Sequence, residues 1–173
     1  MSTLAIVILA AGQSTRMKSR HSKMLHPLAG RPLITYPLRL AEALNPAHLL
    51  LVLGHLAREI QAVLGPTYRY VLQEPQLGTG HAVQQVRPLL EGRCDELLVL
   101  YGDTPLLRLE TVQEMLRRHR ETGAAVTLLS AVLADPRGYG RVIRDGYGRV
   151  QAVVEEADAG PEERAIPEVS SGI

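Results

Sequence analysis

A basic, glycine-containing loop near the N terminus combines residues that could bind phosphate. It follows the apolar run Leu4–Leu9, which predicts a buried strand because no polar residue interrupts it. Gly12 can adopt a positive φ without a Cβ clash, and consecutive backbone N–H groups in such a turn can form an anion-binding nest. Four cationic residues then follow in a short span: Arg16, Lys18, Arg20 and Lys23. This combination indicates a polyphosphate site.

The same loop has less specific interpretations. Its Ala-Ala-Gly sequence could be an ordinary strand-to-loop turn, and a run of Lys and Arg is often a solvated face or a nucleic-acid patch. The loop lacks the Gly-Lys-Ser/Thr of a Walker A motif and does not match Gly-x-Gly-x-x-Gly. The residues therefore indicate phosphate without indicating a reaction.

A second loop, after the third predicted strand, combines glycines with amide side chains. Gly78 and Gly80 flank Thr79 at a predicted helix start, where backbone N–H groups are free and the helix dipole is positive. The amides of Gln73 and Gln76 can pair with the edge of a pyrimidine base. The alternative is a structural loop in which Thr79 serves as the helix N-cap.

A third loop, Tyr101–Pro105, places a carboxylate directly after a buried strand. Mg²⁺ commonly takes one or two carboxylates and fills its other positions with phosphate and water, so Asp103 is a candidate metal ligand. The alternative is that Asp103 caps the turn at Thr104 and Pro105. A neighbouring anion nest would favour the metal.

Strands that alternate with helices predict an α/β fold with an open, mostly parallel sheet. In such sheets ligands bind beyond the carboxyl ends of the strands, so we expect the three loops to share one edge. A β-hairpin with a Gly-rich turn is expected over residues 139–155. The predicted strands are Leu4–Leu9, Leu49–Leu53, Tyr68–Leu72, Glu96–Tyr101 and Ala125–Val132. The predicted helices are Pro32–Leu44, kinked at Pro37, Leu56–Leu64, Thr79–Leu90 and Leu109–Thr122.

Composition narrows the class of protein. The 173 residues suit one domain, and 46% hydrophobic with 21% charged residues is typical of a globular protein. A net charge of +1 argues against a dedicated nucleic-acid binder. A single cysteine, Cys94, permits no internal disulfide, which together with the lack of a leader or a membrane-length apolar run predicts a cytoplasmic protein. The sequence does not indicate an oligomeric state.

Taken together, the motifs resemble a known family. The segment Leu9–Met17 with Lys23 resembles the nucleotidyltransferase (pyrophosphorylase) loop of sugar-nucleotide synthesis. Four further segments make the whole chain similar to the N-terminal domain of bacterial N-acetylglucosamine-1-phosphate uridylyltransferases: Gln76–Ala82, Tyr101–Leu106, Asp135–Arg141 and Val154–Glu155. The resemblance implies a Rossmann-like fold of the nucleotide-diphospho-sugar transferase type, formed by residues 1–173.

The resemblance also implies a reaction and a role for each matching residue. UTP and N-acetylglucosamine 1-phosphate would give UDP-N-acetylglucosamine, a peptidoglycan precursor, and pyrophosphate. The implied catalytic residues, which would bind the triphosphate, are Arg16 and Lys23. The implied nucleotide-binding residues are Leu9, Ala11, Gly12, Gln73, Gln76, Gly78, Thr79 and Tyr101. The implied sugar-binding residues are Gly140, Glu155 and Ser170, and Asp103 would bind Mg²⁺.

Several positions depart from the family pattern. Ser14 replaces the usual Gly and is shared with molybdopterin-type nucleotidyltransferases, while Ser170 replaces a sugar-contacting Asn. Glu156–Ala157 stands where a Lys is usual, and the sequence stops at Ile173, before the family's second metal ligand and its acetyltransferase β-helix. We therefore expect impaired turnover from this chain alone. A cytidylyl or guanylyl transferase of the same fold, or a non-catalytic nucleotide-binding fragment, remains the alternative.

Overall fold

The computed structural model of the protein describes residues 2–12, 17, 19 and 21–173. Two compact units make up the chain, Met1–Gln113 and Glu114–Ile173. The first alternates parallel strands with helices, and the second contains short antiparallel strands. A single nucleotidyltransferase domain over residues 1–173 stays a prediction.

The first unit is built on a four-stranded parallel sheet in the order β5 (Arg69–Leu72), β4 (His48–Leu53), β1 (Leu4–Ala10) and β6 (Glu96–Tyr101). Its central strand β1 is buried along its whole length, because it pairs with a strand on each side and is covered on both faces. The strands are β1 (Leu4–Ala10), β2 (Pro27–Leu28), β3 (Arg31–Pro32), β4 (His48–Leu53), β5 (Arg69–Leu72) and β6 (Glu96–Tyr101). The helices are a 3₁₀ helix (Lys23–Leu25), α1 (Thr35–Ala43), α2 (Ala57–Leu64), α3 (Thr79–Gln84) and α4 (Arg87–Leu90), and α5 (Leu109–Thr122) contains the boundary between the units. The predicted parallel α/β fold is confirmed.

Two helix predictions need correction, and proline explains both. Helix α1 begins at Thr35 rather than Pro32, so Pro37 lies in the first turn, where its missing N–H and its ring disturb no preceding helical turn. The physical cause of the predicted kink is therefore absent. The predicted helix over residues 79–90 is two helices, since Pro88 has no N–H to bond the carbonyl of Gln84.

The second unit contains an antiparallel sheet in the order β7-β10-β8-β9. Its elements are β7 (Ser130–Val132), β8 (Arg141–Arg144), β9 (Val150–Val154), α6 (Pro161–Arg164) and β10 (Glu168–Ser170). Strands β8 and β9 form the predicted hairpin, with Gly148 at φ +79° in its turn. The fifth strand predicted over residues 125–132 is wrong in extent and in partner, because only its last three residues pair, with β10.

No helix among the described residues is both long enough and apolar enough to cross a membrane.

Candidate functional site

A cavity of about 470 Å³ lies at the carboxyl edge of the parallel sheet. The loops that follow β1, β5 and β6 all contribute to it, as parallel strands ending at one edge require. The cavity gathers every residue to which the sequence assigned nucleotide or metal binding, apart from Arg16 and Lys23. Its lining consists of Leu9, Ala11, Gly12, Met24, Gln73, Gln76, Gly78, Thr79, Ala82, Tyr101 and Asp103.

The loop after β1 turns away from the sheet at Ala11 and Gly12. Ala11 is buried and Gly12 is exposed. Gly12 does not use the left-handed backbone region that its residue type allows, and a Cβ built on it meets no atom of a described residue within 4 Å. Gly12 therefore contributes open space to the cavity, and its backbone conformation does not itself require a glycine. Arg16, the other catalytic candidate of this loop, lies outside the described residues, as do the cationic residues Lys18 and Arg20 and the departure Ser14.

Gln76 joins the loops after β1 and β5. Its Nε2 donates to the carbonyl oxygen of Ala11 at 2.7 Å. The contact passes directly over Gly54, where a Cβ would lie 2.1 Å from that nitrogen and 2.5 Å from that oxygen. Gly54 was not among the predicted site residues, although it directly follows a strand of the parallel sheet, as Gly102 does. Its position directly after a predicted strand was the feature of the sequence that could have identified it.

Gln73 and Gly78 shape the wall of the cavity nearest α3. The Gln73 side chain is buried, and its Nε2 donates to the carbonyl oxygen of Gly78 at 2.9 Å and lies 3.2 Å from Nδ1 of His81. Gly78 has φ +93°, a conformation that side chains with a Cβ rarely adopt, and it is the N-cap of α3. Thr79 is thus the first helical residue, and the alternative in which Thr79 caps the helix is not observed.

Lys23 and Asp103 form an ion pair, with Nζ of Lys23 2.5 Å from Oδ2 of Asp103. Both side chains are about one-third exposed. The hydroxyl of Thr104 donates to the carbonyl oxygen of Tyr101 and so stabilises the turn in the place of Asp103. The alternative role of Asp103 as a turn cap is therefore not seen, and its carboxylate faces a cation.

Met24 and Ala82 complete the lining and were missed by the sequence analysis. Met24 is buried, and its sulfur lies where a Cβ on Gly102 would approach to 2.8 Å. A side chain at position 102 would therefore displace Met24. Gly102, which follows β6, indicated close packing at this point, whereas no sequence feature predicted that Met24 would line the cavity.

The residues present fit a magnesium ion that arrives with a triphosphate. Oδ1 of Asp103 makes no hydrogen bond to a described residue, so one carboxylate oxygen can face the cavity. The described residues contain no group of three His, Cys, Asp or Glu side chains able to enclose a metal. A site with one protein carboxylate suits Mg²⁺, which leaves its remaining positions to phosphate and water.

The three residues assigned to the sugar lie together in the second unit. The backbone N–H of Ser170 donates to the carbonyl oxygen of Gly140 at 2.8 Å. A Cβ on Gly140 would lie 3.3 Å from Oε1 of Glu155. Glu155 is exposed, and no hydrogen bond joins its carboxylate to another described residue. A glycine and an exposed carboxylate side by side can accept a polar ligand.

A buried arginine stabilises this part of the second unit. Arg141 is 1% exposed and donates from Nη2 to Oε2 of Glu156 at 2.7 Å and from Nη1 to the carbonyl oxygen of Tyr139. Arg141 chiefly, and then the backbone N–H of Gly138, lowers the pKa of Glu156. Glu156, one of the departures from the family pattern, thus has a structural role. Nε of Arg141 is buried and has no hydrogen-bond partner in the part of the chain that the structure describes.

Two solved structures with a similar fold are UDP-glucose pyrophosphorylases. UDP-glucose pyrophosphorylase complexed with UDP-glucose aligns with a TM-score of 0.77 at 18% identity, covering 98% of this chain and 74% of that one. The apo form of a UDP-glucose pyrophosphorylase aligns with a TM-score of 0.78 at 16% identity and the same coverage. At these identities the likeness concerns the fold, which is that of the Rossmann-like nucleotidyltransferases.

Curated relatives are much closer in sequence. The bifunctional protein GlmU of Prochlorococcus marinus (strain MIT 9313) is 51% identical over 172 residues, which cover 98% of this chain and 39% of that protein. GlmU of Bacillus velezensis is 46% identical over 166 residues, which cover 96% and 36%. The chain thus spans well under half the length of these relatives. The model of the MobA-like NTP transferase domain matches residues 6–158, and the chain belongs to that family.

Proposed function

We propose that this chain transfers a uridylyl group from UTP to N-acetylglucosamine 1-phosphate, giving UDP-N-acetylglucosamine and pyrophosphate. An oxygen of the sugar phosphate attacks the α-phosphorus of UTP, and the bond between that phosphorus and the oxygen bridging it to the β-phosphate breaks. Pyrophosphate leaves with the electron pair of that bond. Reactions of this kind depend mainly on positioning and charge stabilisation, which a rigid, charged cavity can supply.

The cavity offers suitable contacts for a uridine. Gln73 and Gln76 use their amide nitrogens inside the protein, on Gly78 and Ala11, so the oxygens of both amides are left as acceptors. Uracil has an N–H at its pyrimidine edge that can donate to such an oxygen. The open space beside Gly12 and the walls formed by Leu9 and Tyr101 leave room for the base and ribose.

The charged pair at the cavity is suited to phosphate. We expect Lys23 to exchange Asp103 for the triphosphate and to stabilise charge on the departing pyrophosphate, together with Arg16. Asp103 would then hold Mg²⁺, which when bound neutralises phosphate charge. Lys23 can bind phosphate and Asp103 can bind Mg²⁺ only when the two are not paired with each other. We therefore expect the ion pair to open when the substrate binds.

The sugar phosphate would contact the second unit. The exposed carboxylate of Glu155 can accept hydrogen bonds from sugar hydroxyls or the acetamido N–H. Gly140 lies directly against this carboxylate, since a Cβ there would approach Oε1 of Glu155 to 3.3 Å, and the hydroxyl of Ser170 can donate to or accept from the same ligand. These assignments come from the family resemblance and are supported by the proximity of the three residues.

The observation that carries the proposal is the single cavity in which the Gly12, Gln73, Gly78 and Asp103 loops meet. The test measures binding of UTP, CTP, GTP and ATP to residues 1–173 by calorimetry with Mg²⁺. Pyrophosphate release with N-acetylglucosamine 1-phosphate is then followed for each nucleotide. We expect UTP to bind most tightly and to be the nucleotide consumed. Equal affinity for all four nucleotides, or none for UTP, would contradict the proposal.

The match to the MobA-like family favours a second candidate. The same fold could transfer a cytidylyl or guanylyl group, because the acceptor oxygens of Gln73 and Gln76 can also face the exocyclic amine of cytosine. The nucleotide panel separates the two candidates, since a clear preference for CTP or GTP would support the second and exclude the first.

A further inference from the structure

Glu59, in the first turn of α2, contacts the segment that carries Lys23. Its Oε2 accepts the backbone N–H of Ser22 at 2.9 Å, and its Oε1 lies 2.6 Å from Nδ1 of His21. The Ser22 N–H is the main reason, and the His21 side chain the next, that the pKa of Glu59 lies below its ordinary value. Glu59 therefore carries its negative charge toward this segment, at a helix end where that charge is favourable.

Ser22 connects Glu59 to the turn that contains Lys23. Ser22 is buried and caps the 3₁₀ helix Lys23–Leu25: its Oγ accepts the backbone N–H of Met24 at 3.3 Å, and its carbonyl oxygen accepts that of Leu25 at 3.0 Å. The backbone of Lys23 is therefore enclosed by a turn whose first residue is fixed to Glu59. Nζ of Lys23 reaches Asp103 from that turn.

The two ends of the turn are held differently. On the C-terminal side, the carbonyl oxygen of Met24 accepts the backbone N–H of Ile34 at 3.0 Å. On the N-terminal side, the hydrogen bonds that leave residues 17, 19, 21 and 22 for elements outside the loop all end on Glu59. A lysine side chain has many rotamers, and fixing its backbone reduces the entropy lost when its ammonium group is held at a ligand.

We propose that Glu59 is a positioning residue that fixes the turn before Lys23 and so sets the Lys23 ammonium group at the cavity. This inference rests on the proposed function, in which Lys23 binds the triphosphate of the nucleotide. Glu59 itself is not in the lining of that cavity and instead lines a neighbouring one of about 770 Å³. It acts through the loop backbone.

Amide hydrogen exchange tests the positioning without any nucleotide. Glu59→Ala removes both contacts, and Glu59→Asp keeps the charge in α2 but is one methylene shorter. Exchange at Met24 and Leu25, which donate to Ser22, should be about tenfold faster in both variants, the effect of losing a charge-assisted hydrogen bond. Glu59→Asp keeps the experiment decisive if Glu59→Ala does not fold.

Asp95→Ala is the matched control. Asp95 also accepts a backbone N–H with its carboxylate, that of Thr3 at 2.7 Å, but at the opposite end of β1. Exchange at Met24 and Leu25 should stay at the wild-type rate in this variant. Unchanged exchange in the Glu59 variants, or equal acceleration in Asp95→Ala, would overturn the positioning role.

A double-mutant cycle then connects Glu59 to nucleotide binding. Glu59→Ala should raise the Kd for UTP with Mg²⁺ about three- to tenfold in the wild-type background and leave it unchanged in the Lys23→Ala background. The same factor in both backgrounds would show that Glu59 does not act through Lys23. If the wild-type chain binds no UTP, the proposed function fails, and the exchange experiment still decides the positioning role.

Discussion

The side-chain amide of Gln76 donates to the carbonyl oxygen of Ala11 across Gly54, with 2.7 Å between nitrogen and oxygen. This hydrogen bond connects the loops after β1 and β5 over the end of β4, the strand that lies between them in the sheet. Neither loop could hold this shape if position 54 carried a side chain. The wall of the cavity therefore depends on a residue that does not line it.

Gly54→Ala should break this connection. The added Cβ would overlap both Nε2 of Gln76 and the carbonyl oxygen of Ala11, and the second is backbone that cannot easily move. We expect overpacking to lower the free energy of unfolding by about 1–3 kcal/mol. The Kd for UTP should rise about tenfold, roughly 1.4 kcal/mol.

Gly146→Ala serves as the control for this substitution. A Cβ at Gly146 meets no atom within 4 Å, so the change should leave both the free energy of unfolding and the affinity for UTP unaltered. Urea unfolding and calorimetry measure the two quantities. A Gly54→Ala protein that matches Gly146→Ala in both would show that the loops do not need this contact.

Lys23→Ala should separate activity from stability. Loss of a preorganised charge contact typically reduces the rate about 10²–10³-fold, so pyrophosphate release should fall by that factor. The ion pair with Asp103 is partly exposed, and such pairs contribute only about 0–1 kcal/mol, so the free energy of unfolding should change little. Glu91→Ala, which removes an exposed ion pair with Arg87, is the control for loss of a charge. A wild-type rate for Lys23→Ala would exclude the assigned role.

Gly78→Ala and Gly12→Ala should change different properties, stability in the first variant and UTP affinity in the second. Gly78→Ala forces a Cβ into a φ of +93°, which costs on the order of 1–3 kcal/mol and should lower the unfolding free energy. Gly12→Ala has no such strain and places a methyl group in open space at the cavity, so it should weaken UTP binding without loss of stability. Thermal unfolding and calorimetry on both variants check the contrast, and similar stabilities would refute it.

Acid should weaken the second unit through Glu168. Arg144 and then Ser130 hold the pKa of Glu168 at about 2, below its ordinary 4.5. A carboxyl whose pKa is lower in the folded state contributes stability that is complete above the unfolded pKa and is lost as pH falls through the folded one. The unfolding free energy should therefore decline as pH falls from about 4.5 to about 2, and Glu168→Gln should flatten that decline.

Urea unfolding at a series of pH values measures this slope. Glu121→Gln removes the same charge from an exposed helix position of the second unit and should keep the wild-type slope. An identical slope in wild type and Glu168→Gln would mean that the contacts of Glu168 with Arg144 and Ser130 do not stabilise the fold.

The parallel sheet and its ligand-binding edge could be predicted because their signals are local. Apolar runs such as those in Leu4–Leu9 and Glu96–Tyr101 predict parallel strands, and the carboxyl ends of parallel strands lie at the same edge of the sheet. The edge strand β7 was not predictable in the same way. Its partner β10 lies far along the chain, and of the predicted strand over residues 125–132 only Ser130, Ala131 and Val132 pair with β10 as a strand.

Hydrogen-bond partners at the site were equally hidden. No sequence pattern predicted that Glu59 would bind Ser22 or that the Gln76 amide would bind Ala11, since each contact joins segments far apart in the chain. The sequence predicted that Lys23 and Asp103 are charged groups at the carboxyl edge of the parallel sheet. It did not predict that they pair with each other. The sequence therefore predicts the chemical type of each side chain at the site, but not the residue that each side chain contacts.

Of the four strands in the parallel sheet, β1 comes first along the chain and lies between two strands that come later, β4 and β6. The floor of the cavity therefore cannot exist until the ribosome has released Tyr101 and its turn, and a nascent chain shorter than that should capture no nucleotide. Once β6 has docked, a bound triphosphate favours the folded state by mass action. Nucleotide supply should thus influence how much of the newly made first unit escapes proteolysis.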